Sequence, residues 1–111
     1  MSTHAERVTE RKARIDHFRS VLLSAAEHRR ERDDFVPSAE NRYGQETGWV
    51  VYERDQMHAA VNAELAKRGQ PPAARDDILY IERQACGHSD YVAQWAIRCA
   101  DLVLTREHEH A

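Results

Sequence analysis

Residues 90–106 constrain the fold of this chain more than any other segment, because they are apolar around most of a helix's circumference. Their polar members fall on one narrow stripe. The apolar residues are Val92, Trp95, Ala96, Cys99, Ala100, Leu102 and Val103, and the polar ones are Gln94, Arg98, Asp101 and Thr105. A helix of this kind must be covered on several sides. We therefore expect it to be the central element of a helical bundle or part of a homodimer interface.

Two amphipathic segments precede this one and can provide part of its cover. Residues 3–33 and residues 49–68 both place apolar side chains on one side at helical spacing. These positions are Val8, Ile15, Leu22 and Ala26 in the first segment, and Val50, Met57, Val61 and Leu65 in the second. Residues 34–48, between them, contain a proline and two glycines, a composition typical of a connecting loop.

A third, shorter helix is predicted over residues 73–86. A strand over residues 78–81 is the alternative, but no partner strand is evident in the sequence. The turns at residues 69–72 and 87–89 are short, so the last three helices should be antiparallel neighbours. The sequence thus predicts one all-α domain over residues 1–111, either a four-helix bundle or an open helical array with a long N-terminal amphipathic helix.

Residues favoured at helix ends mark the predicted boundaries. Thr3 and Glu6 have the spacing of a capping box at the start of the first helix. Gly69 stands where a C′ glycine would end the second helix, and two prolines follow shortly after it. Ser89 can cap the start of the last helix.

The composition is that of one small domain in a reducing compartment. The chain has 111 residues, of which 41% are hydrophobic and 32% are charged. No apolar run approaches the roughly 20 residues that cross a bilayer, and the N-terminus lacks the apolar core of a secretory signal, so we expect a cytoplasmic protein without membrane contact. Arginine supplies 14 of the 16 basic residues, a bias that GC-rich codons produce. A compact, motif-free chain of this type would suit an accessory protein of a mobile element.

Cys86, His88 and Cys99 lie close enough in sequence to suggest a metal site, but the predicted helices separate them. Cys86 ends the third helix and Cys99 lies well inside the fourth, so the two thiols should differ in height by roughly 12 Å. A disulfide needs Cα atoms within about 7 Å, and zinc needs each ligand within about 2.3 Å. We therefore predict no metal and no cofactor, with Cys99 acting as a small hydrophobic residue of the core.

Glu82 is a charged residue predicted inside the apolar face of the third helix. An ionised carboxylate in that place is costly unless a cation or strong donors accompany it. Arg11 on the first helix and His58 on the second are the candidate partners. The simpler interpretation is that Glu82 extends its carboxylate to solvent from the edge of the bundle or forms a structural ion pair. The alternative is a small-molecule-binding or enzymatic bundle centred on these three residues.

Arg7, Arg11 and Arg14 form a stripe along the first helix that could follow a phosphate backbone. Acidic residues interleave with them, no second basic surface accompanies them, and the net charge of the chain is −3. Nucleic-acid binding through this stripe is therefore a second alternative that the sequence does not favour.

Residues 12–29, KARIDHFRSVLLSAAEHR, resemble the first helix of the all-helical chorismate mutases. Lys12 and Arg29 stand near basic positions of that family's pattern, and Ile15 and Leu22 near apolar ones. The resemblance implies a buried site in which several cations hold two carboxylates. That family's later catalytic lysine, its Arg-Glu pair at the start of the second helix and its C-terminal glutamine have no match here, so the resemblance ends with the first helix.

The favoured hypothesis is that this chain acts by binding a protein, as an adaptor, inhibitor or accessory protein or by self-association as a homodimer. No set of acids, bases and nucleophiles converges in the sequence, so enzymatic activity is not favoured. Aromatic residues are enriched at interface cores, and the connecting region carries several. The candidate interface residues are Trp49, Tyr91, Trp95 and Leu102.

Overall fold

The computed structural model describes residues 3–32 and 48–109 of the chain, which form four helices. The helices are α1 (His4–Arg32), α2 (Gly48–Lys67), α3 (Arg75–Ala85) and α4 (Tyr91–Glu109). The predicted all-α fold class is confirmed. The described ranges contain no strand, and the strand interpretation of residues 78–81 is wrong because these residues belong to α3. No helix within those ranges is both long enough and apolar enough to span a membrane.

Side chains close the N-terminal ends of α1 and α4. At α1, the backbone amide of Glu6 donates to the Thr3 hydroxyl at 3.1 Å, which is the first of the two bonds of the predicted capping box. The Glu6 carboxylate accepts from the Thr3 hydroxyl at 3.2 Å. At α4, the cap is Asp90 and not Ser89. The helix begins one residue later than predicted, so the Asp90 carboxylate is the acceptor that reaches the Ala93 amide, at 3.1 Å.

Helix α4 is central to the packing, as its apolar circumference predicted. It contacts all three other helices, as does α2, whereas α1 and α3 do not contact each other within the described part of the chain. Five side chains of α4 are fully buried: Trp95, Ala96, Cys99, Ala100 and Val103. The cover that this helix requires is therefore provided within one chain.

The apolar face of α1 differs from the predicted one at its start. Val8 was expected on the buried side, but 54% of it is exposed. The buried positions are Phe18, Leu22 and Ala25. Glu10 of α1 contacts Arg68, which directly follows the end of α2, so the turn of α1 that carries Val8 lies beyond that end of α2.

A Schellman turn ends α2, with Gly69 at the C′ position that the sequence predicted. The Gly69 amide donates to the Ala66 carbonyl at 3.1 Å, and the Gln70 amide donates to the Leu65 carbonyl at 2.9 Å. Gly69 has a φ of +68°, in the left-handed region that glycine adopts without a steric penalty.

Replacing Gly69 by alanine should lower the free energy of unfolding by about 1 kcal/mol, because a Cβ atom is disfavoured at positive φ. No atom lies within 4 Å of the added Cβ, so the loss would come from backbone strain alone. Urea denaturation followed by circular dichroism measures this change.

Gly87 provides the matched control for this substitution. Its φ lies outside the left-handed region, and an added Cβ would again meet no atom within 4 Å. Gly87→Ala should therefore change the free energy of unfolding by less than about 0.5 kcal/mol or raise it slightly. Equal losses in the two variants would contradict the role given to the Gly69 conformation.

Candidate functional site

Glu82, which the sequence placed on the apolar face of the third helix, is buried, and its partner is Arg54 of α2. Arg54 Nε lies 2.7 Å from Glu82 Oε1 and Arg54 Nη2 lies 3.0 Å from Glu82 Oε2, so the pair is bidentate. The side chains are 1% and 6% exposed. Planar pairing of this kind satisfies both carboxylate oxygens at once. The ion pair thus joins α2 to α3 in a part of the molecule that excludes water.

The two partners that the sequence suggested for Glu82 lie elsewhere. Arg11 binds Asp101 of α4, with Nε to Oδ1 at 2.9 Å and Nη2 to Oδ2 at 3.2 Å, and this hydrogen bond and the charge of Asp101 raise the pKa of Arg11. His58 Nε2 shares a hydrogen bond with the Ala73 carbonyl at 2.7 Å. The expected pairing is therefore wrong. Glu82, Arg11 and His58 thus take part in three separate contacts.

A second buried carboxylate, Glu64 of α2, was missed in the sequence. It is 2% exposed and meets cations from two helices. Arg14 Nη1 lies 2.9 Å and Arg68 Nη1 2.8 Å from Glu64 Oε2, and Lys67 Nζ lies 3.4 Å from Oε1. Arg68 also reaches Glu10 of α1 through Nη2 at 2.8 Å. This network therefore joins α1 to α2.

The cations around Glu64 keep it ionised to low pH. Burial alone would raise its pKa, but the hydrogen bond from Arg68 and the charge of Arg14 outweigh that effect and lower the pKa from 4.5 to about 2. A carboxylate held in this way does not take up a proton near neutral pH. Its role is structural and not that of a general acid or base.

A sequence signal for Arg54 and Glu64 did exist. Arg54 lies three residues before Met57, and Glu64 lies three residues after Val61, so both stand on the apolar face of α2. The spacing rule that identified Glu82 inside the face of α3 would have identified these two residues as well.

The arginine stripe of α1 is largely engaged within the chain. Arg11 binds Asp101, and Arg14 binds Glu64, whereas Arg7 is exposed. An arginine held by a carboxylate must break that contact before it can bind a phosphate. The geometry thus weakens the nucleic-acid alternative.

The predicted interface residues lie in different environments. Trp95 is fully buried and belongs to the core, so the predicted interface loses this residue. Tyr91 packs on it with ring centroids 5.2 Å apart. Burial and the nearby charge of Glu82 raise the pKa of Tyr91. Leu102 is half-buried on α4, and the side chain of Trp49 lies outside the described residues.

The two cysteines are free thiols in unlike places. Cys99 is fully buried, which raises its pKa to about 12, whereas Cys86 is exposed at the end of α3. A thiol with a raised pKa is a poor nucleophile and a poor metal ligand. Among the residues that the structure describes, no group of three or more histidines, cysteines and acids is placed to hold a metal ion.

An open groove of about 440 Å³ lies between α3 and α4 on the surface of the described residues. Its lining residues are Asp77, Tyr80, Ile81, Gln84, Arg98, Asp101, Leu102, Thr105 and Arg106. We call this the α3–α4 groove. It includes one of the predicted interface residues, Leu102, and none of the three residues of the predicted small-molecule site.

Polar contacts between side chains of α3 and α4 connect the two sides of the α3–α4 groove. Arg98 Nη1 donates to Gln84 Oε1 at 3.3 Å, and Gln84 Nε2 donates to the Tyr80 hydroxyl at 3.0 Å. Near the start of α3, Arg106 Nη2 lies 3.3 Å from Asp77 Oδ2. Tyr80 is 63% exposed, although it is among the largest apolar side chains of the chain. The groove therefore offers an aromatic side chain to solvent beside apolar residues.

The Arg54–Glu82 pair predicts that a single substitution lowers the free energy of unfolding more than the double substitution does. Glu82→Leu leaves a buried guanidinium without its carboxylate and should lower the free energy of unfolding by about 3–5 kcal/mol. Combining it with Arg54→Met removes the buried cation as well and should recover most of that loss. Chemical denaturation of the single and double variants measures the coupling; a double variant no more stable than Glu82→Leu would argue against this assignment.

The low pKa of Glu64 predicts a pH-dependent contribution to stability. Because the folded-state value lies below the ordinary one, ionised Glu64 stabilises the fold above pH 5, and this stabilisation disappears as the pH falls from about 5 to 2. Glu64→Gln should therefore cost up to about 3 kcal/mol at pH 7 and almost nothing near pH 2.

Acid-dependent denaturation of both proteins tests the Glu64 prediction. Asp16→Asn, at an exposed carboxylate on α1, is the control and should change stability by less than about 0.5 kcal/mol at either pH. A Glu64→Gln deficit that stays constant between pH 7 and pH 2 would contradict the prediction.

Comparisons with known proteins add no relative from which a role could be transferred. No protein-family model, no curated protein and no solved structure matches this chain. Any function proposed for it must therefore follow from the geometry and chemistry of its own side chains.

Proposed function

We propose that this chain acts by binding another protein, and that the α3–α4 groove is the contact surface. The observation that carries the proposal is Tyr80, which is 63% exposed at the edge of a groove whose lining includes Ile81 and Leu102. Tyrosine and arginine are the residue types that contribute most at protein interfaces, and both line this groove. An adaptor, inhibitor or accessory protein of the cytoplasm is the role that suits such a surface.

The state of the buried charges favours a binding role over an enzymatic one. Glu82 is held by Arg54 in a bidentate pair, and Glu64 is surrounded by cations. Acids and bases that perform catalysis must be free to exchange protons within reach of a substrate. The most buried carboxylates of the described residues instead neutralise cations of this same chain.

The source of the interface differs from the one that the sequence suggested. The apolar excess of the last helix was the main reason to expect a partner, and that excess is covered by α1, α2 and α3. The groove proposed here as the contact lies between α3 and α4 and is lined by both helices, with Tyr80 on the α3 side and Leu102 on the α4 side.

Site-specific photocrosslinking in cells of the native host tests this proposal. A benzophenone amino acid at position 80 should yield a covalent adduct of defined mass, because that side chain would lie against the partner. The same amino acid at position 83 is the control, since Arg83 is exposed on α3 but does not line the groove. Unlabelled wild-type chain in excess should suppress the adduct, and the Tyr80→Asp chain should not.

The adduct mass separates the forms of association. An adduct of twice the mass of the chain indicates a second copy of the chain. An adduct of any other mass indicates a different protein. No adduct at position 80, or equal adducts at positions 80 and 83, would overturn the assignment of the groove as a protein contact.

A further inference from the structure

We propose that the α3–α4 groove binds an acidic segment of a partner protein, one that places a carboxylate beside an apolar side chain. This inference rests on the proposed function and adds the chemistry of the partner to it. Its basis is the charge of Arg98, which lines the groove from the α4 side.

Arg98 is a cation without a carboxylate partner among the described residues. Its Nη1 atom donates to the neutral amide of Gln84 at 3.3 Å, and its Nε atom is buried with no hydrogen-bond acceptor in that part of the chain. Hydrogen bonds of guanidinium to a carboxylate are shorter and stronger than those to a neutral amide. Because the Nε atom is buried, an incoming carboxylate would reach the guanidinium through its Nη atoms, and it would bind them more strongly than the neutral amide of Gln84 does.

The other charged residues of the groove are already neutralised. Arg106 lies against Asp77, and Asp101 is held by Arg11 from α1. The four charged lining residues are Asp77, Arg98, Asp101 and Arg106, and their formal charges sum to zero. Because Arg11, outside the groove, binds Asp101, Arg98 is the lining cation that no carboxylate of the described residues holds. A partner with a carboxylate at this point is therefore electrostatically complementary, whereas a basic partner would be repelled.

Gln84 fixes the spacing between the cation and the aromatic side chain. It bonds to Arg98 on one side and to the Tyr80 hydroxyl on the other, so both groups lie within the span of one amide side chain. A carboxylate bound to Arg98 would therefore bring a neighbouring apolar side chain of its own segment against Tyr80, Ile81 and Leu102. Such a segment would supply a carboxylate for Arg98 and an apolar side chain for Tyr80, the two residue types that often contribute most of the binding energy at protein interfaces.

Selection from a library of displayed random dodecapeptides against the full wild-type chain tests this inference. We expect enriched peptides to carry Asp or Glu next to an aromatic or aliphatic residue. A synthetic enriched peptide, titrated by fluorescence anisotropy, should bind Arg98→Gln at least tenfold more weakly than the wild-type chain and should also lose affinity for Tyr80→Ala. Arg83→Gln, which removes an exposed arginine outside the groove, should stay within twofold of the wild-type chain.

A change on the peptide side makes the result independent of the fold of any variant. Replacing the peptide carboxylate by its amide should cause the same loss as Arg98→Gln, and the two changes together should cost little more than either alone. Retained affinity of the amide peptide for the wild-type chain would overturn the inference.

The failure of this inference is distinguishable from that of the proposed function. Enriched peptides that lack an acid, and that need Tyr80 but not Arg98, would overturn the acidic partner and leave the groove as a protein contact. No enrichment, or enrichment insensitive to Tyr80→Ala, would count against both. A dimer in analytical ultracentrifugation that Tyr80→Ala dissociates would replace the acidic segment with a second copy of this chain.

Discussion

The apolar circumference of α4 is the constraint on which the rest of the structure depends. Trp95 alone removes enough apolar surface from water to contribute about 4–6 kcal/mol as an upper value. No single neighbour can cover a helix of this kind, so α1, α2 and α3 all pack against it. Helix α1 contributes Phe18, Leu22 and Ala25 to the shared core, and its first turns extend past that core.

Apolar packing alone does not set the height and the rotation of one amphipathic helix relative to its neighbour. In this protein the buried charged pairs set both. Shifting α3 along α2 would separate Glu82 from Arg54 and leave a buried ion without its partner, at a cost of several kcal/mol. The Glu64 network constrains α1 against α2 in the same way, because Arg14 comes from one helix and Arg68 from the other. The half-exposed Arg11–Asp101 pair between α1 and α4 contributes much less, since water screens it.

The same arrangement separates the interior of the molecule from its α3–α4 groove. Inside, carboxylates and guanidinium groups satisfy one another, and the Cys99 thiol is held neutral by burial. On the surface, Tyr80 remains largely exposed and Arg98 has only a neutral amide as its side-chain partner among the described residues. The proposed protein contact rests on these two side chains, because aromatic residues and arginine are enriched at interface cores.

The sequence by itself determined the all-α fold, the approximate ends of the four helices, the Gly69 turn, the position of Glu82 on the apolar face of α3 and the need of α4 for cover on several sides. These properties follow from hydrophobic periodicity and end signals, which act within one helix or one turn. The spacing of Arg54 and Glu64 in the sequence also indicates that both lie on the apolar face of α2, although this was missed. Only the tertiary structure decided that Glu82 pairs with Arg54, that Trp95 faces the core instead of a partner, and that Tyr80 and Arg98 share a groove. Periodicity gives the side of a helix on which a residue lies, but neither the rotation nor the height of that helix against its neighbours, and those two quantities decide which side chains meet.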